Sequence, residues 1–336
     1  MSRLLATGGT GFVVSNVVLR WLERDPAATC IVVDAAERDR AAGWFFAPVH
    51  DRLRFVRADV REPWEWLSLT ELAEVTHVVH GATITSSTSA EAPLVLDVNV
   101  GGTEAVLDWA QKLPALRRLV YVSSGAVYGD AGTTAGQKLV SEEHAVAPST
   151  PYAESKVSAE RITDDHRVRL GLDAISVRLS TVYGPMDRHT PARTVESIPF
   201  TVARTAVRGE RITVDSLDGR GDWIHARDVA EAVVALLTQP RLEHSVYNVA
   251  YGQLVSVGEL LRIAAGAVPG VEYSVVAPER AAVRCRHWRR GPAWGAYDTA
   301  RLRNELGWRP TPLADAFADY VGWLSDTMTQ GQGAVA

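Results

Sequence analysis

The stretch Thr7-Gly8-Gly9-Thr10-Gly11-Phe12-Val13-Val14-Ser15-Asn16 follows the apolar run Leu4-Leu5-Ala6 near the start of the chain. A strand, a glycine turn and a helix in this order are typical of a dinucleotide-binding unit. Gly8 permits the tight turn and Gly11 a close approach, so backbone N–H groups can face a pyrophosphate at the positive end of the helix. Val14 stands where such a turn usually carries its last glycine, which serves helix–strand packing. We expect Val14 to alter that packing and to leave the phosphate donors in place. The turn alone is weak evidence for dinucleotide binding, since a merely structural turn is the alternative.

The composition is that of an ordinary soluble globular protein. Hydrophobic residues make up 46% of the 336 residues, enough for one large domain or two modest ones. The formal net charge is -5 with both signs mixed, which argues against nucleic acid or a membrane surface as a partner. Cys30 and Cys285 suggest neither a disulfide framework nor a metal cluster, so we predict a cytoplasmic protein without metal. No signal peptide or membrane span is recognisable, and Met1 is expected to begin the mature protein.

Strand-length apolar runs alternate with helix-period segments. The predicted strands cover residues 3–7, 30–34, 53–58, 77–81, 119–123 and 174–179, and the predicted helices residues 12–24, 92–112 and 151–170. This alternation predicts βαβ units in an α/β fold, a Rossmann-type doubly wound parallel sheet. Such sheets bind ligands at the carboxyl ends of their strands.

Asp34 ends the predicted strand Ile31-Val32-Val33-Asp34, some two dozen positions after the glycine turn. At about this spacing a carboxylate meets the adenosine ribose hydroxyls. A carboxylate there would repel a 2′-phosphate, which favours NAD over NADP. Arg38 and Arg40 keep NADP open, and a solvent-exposed strand end is the structural alternative.

The domain division follows a change of pattern after residue 182. We predict an NAD-binding Rossmann domain over residues 1–182, with sheet contributions from about 223–254. Residues 183–222 and 255–328 have shorter segments and many Arg and Pro residues, and are predicted to form a smaller interleaved substrate-binding region. Residues 329–336 are expected to be a frayed tail.

Ser124, Tyr152 and Lys156 carry the strongest chemical signal. Ser124 ends a predicted strand, and Tyr152 and Lys156 stand four apart at the head of a helix, so both lie on one helical face. We expect Lys156 to lower the pKa of the Tyr152 phenol towards neutrality, which would make Tyr152 a general acid or base. Ser124 would hold the substrate oxygen. Singly such residues are more often surface groups or caps, but here they occur together after a glycine turn and an acidic strand end.

With these features the sequence resembles the extended short-chain dehydrogenases/reductases, in the NAD-dependent epimerase/dehydratase family that contains the UDP-glucose 4-epimerases. The likeness covers nearly the whole chain. The matching segments are Thr7-Gly8-Gly9-Thr10-Gly11-Phe12, Asp59-Val60, His80-Gly81-Ala82, Asn99-Val100-Gly101-Gly102-Thr103, Ser123-Ser124-Gly125-Ala126-Val127-Tyr128-Gly129, Tyr152-Ala153-Glu154-Ser155-Lys156, Val182-Tyr183-Gly184-Pro185, Asp222-Trp223-Ile224-His225-Ala226-Arg227-Asp228-Val229-Ala230 and Leu306-Gly307-Trp308-Arg309-Pro310.

The resemblance implies roles for residues at the matching positions. Ser124, Tyr152 and Lys156 would be the catalytic set. The implied cofactor-binding residues are Gly8, Gly11, Phe12, Val13, Asp34, Asp59, Val60, Ala82, Asn99, Tyr152 and Lys156. Family members commonly dimerise through a four-helix bundle, here built from the helices near residues 92–112 and 152–170, so a homodimer is expected.

Three departures from the family pattern bear on the substrate. Gly125-Ala126 occupies the places of the Asp-Glu pair with which the dehydratase branch eliminates water, so 4,6-dehydration is not expected. Gly221 precedes Asp222 where nucleotide-sugar members usually carry a phosphate-contacting Arg, and Arg220 stands one place early. Thr181 replaces an Asn that is common three positions before the Gly-Pro pair. The last two departures weaken the case for a UDP-sugar.

Further candidates for substrate contact are weaker. Arg188 and His189 follow the Gly-Pro turn, where family members build the substrate pocket. A basic stretch could hold an anionic group, although a solvated surface is the default; it comprises Arg280, Arg284, Arg286, Arg289 and Arg290, interleaved with Trp288 and Trp294. The predicted substrate residues are Thr83, Ser124, Thr181, Arg188, His189, Arg220 and Arg286. His77 and His80 lie on opposite faces of one strand, which excludes a metal pair and favours packing or a cofactor-side contact.

The expected function is that of an NAD-dependent epimerase. It would oxidise a secondary alcohol carbon of a sugar or nucleotide-sugar to a transient ketone and return the hydride to the other face. The alternative is an NAD-dependent dehydrogenase or ketoreductase with net hydride transfer. A third reading is a non-catalytic dinucleotide sensor, which the presence of Ser124, Tyr152 and Lys156 disfavours.

Overall fold

The computed structural model describes residues 2–62, 70–85, 88–133, 139–193, 196–285 and 295–329. The strands are β1 (Arg3–Thr7), β2 (Thr29–Asp34), β3 (Leu53–Arg57), β4 (His77–His80), β5 (Arg118–Ser124), β6 (Leu139–Val140), β7 (Ala174–Leu179), β8 (Thr181–Tyr183), β9 (Ile212–Val214), β10 (Arg220–Gly221), β11 (Trp223–His225), β12 (Val246–Val249), β13 (Val255–Ser256), β14 (Tyr273–Val275) and β15 (Ala296–Tyr297). The α-helices are α1 (Phe12–Arg24), α2 (Arg40–Phe45), α3 (Ala92–Leu96), α4 (Gly102–Ala110), α5 (Pro151–Leu170), α6 (Ile198–Val207), α7 (Ala226–Thr238), α8 (Val257–Ala267), α9 (Ala300–Leu306) and α10 (Leu313–Thr329).

The central sheet has seven strands in the order β12-β7-β5-β4-β1-β2-β3, and every pairing in it is parallel. The predicted doubly wound fold is therefore confirmed. The chain winds outward from β1 to β3 and then crosses back to β4, so the winding direction changes between β1 and β4. Leu4 of β1 pairs with Cys30 of β2 and His77 of β4. The crevice at the carboxyl ends of β1 and β4 is where such folds bind their ligands.

Helices cover both faces of this sheet, which explains why its strands read as continuous apolar runs. Leu4 and Ala6 belong to the core on the α1 and α7 side, together with Val17 and Val233. Leu5 points the other way and packs with α4 residues such as Leu107. Among the helices described, none combines the length and hydropathy that a bilayer crossing requires.

Sequence and structure differ mainly where helices are interrupted. The predicted helix over residues 92–112 is two α-helices, α3 and α4, joined by a π-helical turn over Asp97–Gly101. β12 joins the central sheet beside β7, as the predicted contribution from 223–254 requires, but β11 pairs with β8 in a separate two-stranded sheet. The tail was expected to begin at residue 329, yet Thr329 is the last residue of α10. Residues 330–336 lie outside the described residues.

Candidate active site

The glycine turn after β1 has the backbone of a phosphate cradle. Gly8 has φ of 67°, and a Cβ there would lie 2.8 Å from both Cα and N of Ala82, so only glycine fits. The Gly8 amide donates to the Val33 carbonyl at 2.8 Å, and the Gly11 amide donates to the Gly8 carbonyl at 3.0 Å. Gly11 is the N-cap of α1, with no side-chain cap. The first turn of α1 therefore presents its N–H groups at the predicted ligand edge.

Val14 lies in the core below this turn. It is only 3% exposed, and a Cβ at Gly81 would lie 2.4 Å from its Cγ2 atom. The valine side chain thus occupies space that the missing side chain of Gly81 leaves open. Its contact is with the end of β4, in keeping with the expected effect on packing.

Asp34 is held at the mouth of a small cleft. Its Oδ2 accepts hydrogen bonds from the Thr10 amide (3.0 Å) and the Thr10 hydroxyl (2.6 Å), and its Oδ1 accepts from the Ala36 amide (3.0 Å). The cleft has a volume of about 180 Å³ and also includes Arg38 and Phe55. The Arg38 guanidinium lies 4.8 Å from the centre of the Phe55 ring. An adenosine end would find an apolar surface and a carboxylate here.

Asp59 and Val60 follow β3. The Asp59 carboxylate binds Arg61 through Nε (3.0 Å) and Nη2 (2.7 Å), and this hydrogen bonding holds its pKa below the usual value. Val60 is 5% exposed, and a Cβ at Gly102 would lie 2.7 Å from its Cγ2 atom. Val60 therefore packs beneath the start of α4.

Asn99, in the π-helical turn, ties two parts of the site together. Its Nδ2 donates to the Ile84 carbonyl (3.0 Å) and the Ser155 hydroxyl (2.9 Å), and its Oδ1 accepts from the Ile84 amide (2.8 Å). It thereby connects the segment after β4 to α5. In that segment the Thr83 hydroxyl is buried and has no hydrogen-bond partner within the described part of the chain. An unpaired buried hydroxyl beside Ala82 fits a bound polar ligand.

The structure brings Ser124, Tyr152 and Lys156 together. Ser124 ends β5, and the other two lie on α5, which begins with a Thr150 N-cap followed by Pro151. The Ser124 hydroxyl accepts a hydrogen bond from the Ala126 amide at 3.1 Å and lies close enough to the Tyr152 phenol to lower its pKa. The Lys156 ammonium donates to the Val122 carbonyl at 2.9 Å and lies 5.7 Å from the centre of the Tyr152 ring.

The electrostatics of this set differ from the expectation. Burial raises the pKa of Tyr152, while the hydrogen bond with Ser124 and the charge of Arg193 lower it. Burial also lowers the pKa of Lys156 to about 7, against the opposing effect of Glu160. The expected lowering of the Tyr152 pKa by Lys156 is therefore wrong for this arrangement. The reason is that the ammonium is itself desolvated and loses much of its charge near neutral pH.

Arg193 is a site residue that sequence reasoning missed. Its guanidinium lies 5.0 Å from the centre of the Phe12 ring and pairs with Asp187 at 2.9 Å. Asp187 is 2% exposed, and burial raises its pKa to about 6 although Arg193 lowers it. The only sequence signal was the position of Arg193 in the segment after Gly184-Pro185.

The two residues predicted after the Gly-Pro turn lie elsewhere. Arg188 is 6% exposed; its Nη2 donates to the Thr10 carbonyl (3.1 Å) and its Nε to Asp39 (2.9 Å). Arg188 is thus bonded to the glycine turn and does not face open space. This arrangement does not support the expected contact between Arg188 and the substrate. His189 is exposed and binds Glu196 at 2.6 Å.

The remaining candidates are dispersed. Thr181 is exposed at the start of β8, and Arg220 is exposed in β10. Arg280 and Arg284 are also exposed. Arg286, Trp288, Arg289, Arg290 and Trp294 lie outside the described residues.

The two histidines of β4 are packing residues in this structure. His80 binds the Thr7 hydroxyl at 2.6 Å through Nδ1 and the Thr103 hydroxyl at 2.9 Å through Nε2, and burial lowers its pKa to about 3. The His77 ring lies 4.9 Å from the Trp21 ring. The His77 and His80 rings thus lie on opposite faces of the sheet. This is the geometry from which a metal pair was excluded.

Aromatic side chains fill the space at two of the departures from the family pattern. A Cβ at Gly125 would lie 2.1 Å from the Tyr297 hydroxyl oxygen. A Cβ at Gly221 would lie 2.3 Å from Nε1 of Trp223. Neither glycine could be replaced by a larger residue without moving its aromatic neighbour.

Comparison with known proteins agrees with this geometry. Residues 4–250 match the model of the NAD dependent epimerase/dehydratase family. The chain belongs to this family. Membership confirms the predicted family, NAD as the cofactor and the assignment as an enzyme.

Relatives of this family member include both kinds of enzyme. It is 31% identical to the UDP-glucose 4-epimerase of Mycolicibacterium smegmatis, over 95% of this chain and 97% of the relative. It is 30% identical to the dTDP-glucose 4,6-dehydratase of Streptomyces griseus, over 96% and 94%. A dTDP-glucose 4,6-dehydratase structure from Streptomyces venezuelae, with NAD and TYD bound, has a TM-score of 0.75 at 27% identity and 98% coverage of both chains.

Proposed function

We propose that this chain is an NAD-dependent epimerase that acts on a secondary alcohol carbon of a sugar or nucleotide-sugar through a transient ketone. The observation that carries the proposal is the filled space at Gly125. Relatives include epimerases and dehydratases, and dehydration uses an acidic pair directly after the serine. Here residue 125 has no side chain, and the Tyr297 hydroxyl lies 2.1 Å from where its Cβ would stand. The proposed oxidation site of Ser124, Tyr152 and Lys156 therefore has Gly125-Ala126 in the places of that acidic pair.

Several features of the crevice fit NAD. The glycine turn leaves no room for a side chain at Gly8, the cleft beside Asp34 is open, and the Thr83 hydroxyl is buried and unpaired among the described residues. We propose that NAD is held by Gly8, Gly11, Phe12, Val13, Asp34, Asp59, Val60, Ala82, Tyr152 and Lys156. Asn99 connects the segment after β4 to helix α5 and so positions both at the cofactor site. When bound, NAD accepts hydride from the alcohol carbon and returns it.

The chain's own residues manage the proton. The Tyr152 phenolate accepts the proton of the reacting hydroxyl and returns it to the ketone oxygen, which Ser124 holds by a hydrogen bond. Arg193 favours the phenolate, because its charge lowers the pKa of Tyr152. Lys156, with a pKa of about 7, donates to the Val122 carbonyl and can exchange a proton near neutral pH. We also propose that Arg193 binds an anionic group of the substrate.

A dehydrogenase or ketoreductase with net hydride transfer is the second candidate. It is favoured by Gly221, because Trp223 occupies the space of the arginine that contacts a phosphate in nucleotide-sugar members. A substrate without a diphosphate would suit this arrangement.

We keep as a proposal the division at residue 182 between an NAD-binding domain and a substrate-binding region.

We also propose a cytoplasmic homodimer. Cys30 and Cys285 are both buried thiols, as suits a reducing compartment. Leu94 and Leu96 of α3 are 47% and 41% exposed, and Val168 and Leu170 of α5 are 65% and 50% exposed. Pairing these helices between two subunits would bury the exposed apolar groups. Light scattering tests the dimer, and a monomeric mass would refute it.

The function is tested by the identity of the product. The protein is purified without added cofactor, its released nucleotides are quantified by mass spectrometry, and it is incubated with UDP-glucose and dTDP-glucose. An epimerase should retain NAD or NADH, since it regenerates its cofactor in each turnover, and should form the 4-epimer. A 4-keto-6-deoxy product would refute the proposal, and an empty protein that turns over only with added NAD would favour the second candidate.

Tyr152→Phe is the matched inactive variant. Removing the hydroxyl should lower turnover by about 10²–10⁴-fold, the usual contribution of general acid–base catalysis. Retained NAD should fall far less than turnover, because the other residues proposed to hold NAD remain in place. If the variant turns over as fast as the wild type, Tyr152 is not the base, and if neither protein turns over, a non-catalytic sensor is favoured.

A further inference from the structure

Tyr297 reaches Gly125, the residue after Ser124, from a distant part of the sequence. It lies on β15, and its ring end meets the backbone of Gly125, the residue directly after Ser124. A Cβ at Gly125 would lie 2.1 Å from the Tyr297 hydroxyl oxygen and 2.5 Å from Cζ. The phenol therefore stands where any side chain at residue 125 would begin.

The Tyr297 side chain is held from behind. Its backbone amide donates to Asp222 Oδ2 at 3.0 Å, and the same carboxylate accepts from the amides of Tyr251 (2.9 Å) and Gly252 (3.0 Å). The Tyr297 ring lies 5.9 Å from the Tyr128 ring, and the residue is 7% exposed. These contacts hold the backbone and the ring of Tyr297 in place.

The Tyr297 hydroxyl contributes no hydrogen bond to the described part of the fold. It makes no hydrogen bond to any of the residues that the structure describes, whereas the neighbouring Tyr128 hydroxyl donates to Asn248 at 2.7 Å. Burial raises the pKa of Tyr297 well above its ordinary value, so this phenol stays protonated. It is suited to donate a hydrogen bond and unsuited to act as a base.

We propose that Tyr297 is a second active-site phenol, whose hydroxyl donates a hydrogen bond to a substrate oxygen next to the reacting carbon. This rests on the proposed function in taking the ligand to be a sugar. Tyr297 determines specificity in two ways. It supplies a neutral donor beside Ser124, and it excludes from residue 125 the carboxyl that dehydration needs.

The first test is Tyr297→Phe, which removes the hydroxyl and keeps the ring against Tyr128. We expect kcat/KM for the sugar substrate to fall about tenfold, as for loss of one hydrogen bond between neutral groups. NAD binding and the melting temperature should not change. Tyr273→Phe is the control, because Tyr273 is 42% exposed on β14. If Tyr297→Phe and the control both match the wild type, the proposal is overturned.

A double-mutant cycle tests the contact directly. Gly125→Ala should displace the phenol and lower kcat/KM at least as much as Tyr297→Phe. In a Tyr297→Val background the added methyl group has room, so Gly125→Ala should cost no more than about twofold. The difference between its effects in the two backgrounds is the coupling expected of residues in contact. Equal losses in both backgrounds would show that the two residues do not meet.

A binding experiment separates this inference from the proposed function. The protein is labelled with 3-fluorotyrosine, and the ¹⁹F resonance of Tyr297 is assigned by its loss in Tyr297→Phe. With NAD present, UDP-glucose or dTDP-glucose should shift that resonance, and UDP or dTDP alone should not. A shift without turnover would support Tyr297 and refute the epimerase. Turnover or saturable sugar-nucleotide binding without a shift would refute Tyr297, as would the absence of any shift with either sugar.

Discussion

The cofactor side and the substrate side of the crevice are built by different means. At the turn after β1 the backbone itself forms the site, since Gly8 is required by its φ of 67° and by the nearby backbone of Ala82. On the proposed substrate side, side chains from distant segments form the site. Arg193 approaches Phe12, and Tyr297 reaches Gly125. A site made of backbone leaves a short local signature in the sequence, whereas a site made of distant side chains leaves none.

Gly8→Ala should give the largest effect and should fall on the cofactor side alone. The new Cβ would be 2.8 Å from backbone atoms of Ala82, at a φ that L residues rarely adopt. We expect NAD affinity to fall at least about tenfold, since the strain alone costs about 1–2 kcal/mol. Isothermal titration calorimetry with NAD measures this. Gly266→Ala in α8 is the control, because its Cβ would have nothing within 4 Å. Equal affinity for all three proteins would remove the backbone argument.

Arg193→Gln should act on the substrate side and leave NAD affinity intact. Arg193 lowers the pKa of Tyr152, so its removal raises that pKa and reduces the phenolate fraction at a given pH. The acidic limb of the pH profile of kcat/KM should therefore move to higher pH, with a severalfold loss at neutral pH. Arg204→Gln serves as the control, since Arg204 pairs with Glu196. An unmoved limb, or one displaced to lower pH, contradicts the assignment.

Val14→Ala should have the smallest effect on ligands. Its side chain is buried against Gly81, so the truncation should lower the free energy of unfolding by about 1–3 kcal/mol. NAD affinity should change by less than about twofold. Denaturant unfolding and calorimetry measure the two quantities. Gly81→Ala should destabilise the wild type more than the Val14→Ala variant. A large change in NAD affinity would show that residue 14 belongs to the phosphate site.

The sheet and the proximity of Ser124, Tyr152 and Lys156 could be predicted from the sequence, because both depend on local pattern. The bounds of β1, β7, α1 and α5 agree with the structure to the residue. The π-helical turn at Asn99 was not predictable, since it depends on bonds to Ile84 and Ser155.

The electrostatic expectation failed for a related reason. Spacing on α5 shows that Tyr152 and Lys156 share a face, but it does not show how far each is desolvated. Burial moves the two pKa values in opposite directions, upward for Tyr152 and downward for Lys156. Arg193, which does lower the pKa of Tyr152, comes from a segment with no recognisable motif.

Arg188 joins the two sides that the sequence keeps apart. It belongs to the segment after β8, yet it donates to the Thr10 carbonyl of the glycine turn and to Asp39. A displacement of that segment by more than the length of a hydrogen bond releases its hold on the turn. A ligand that favours one position of that segment would therefore also change the affinity of the glycine turn for its own ligand, and reciprocity makes the two effects equal in size. Arg188 is the contact that couples the segment after β8 to the glycine turn.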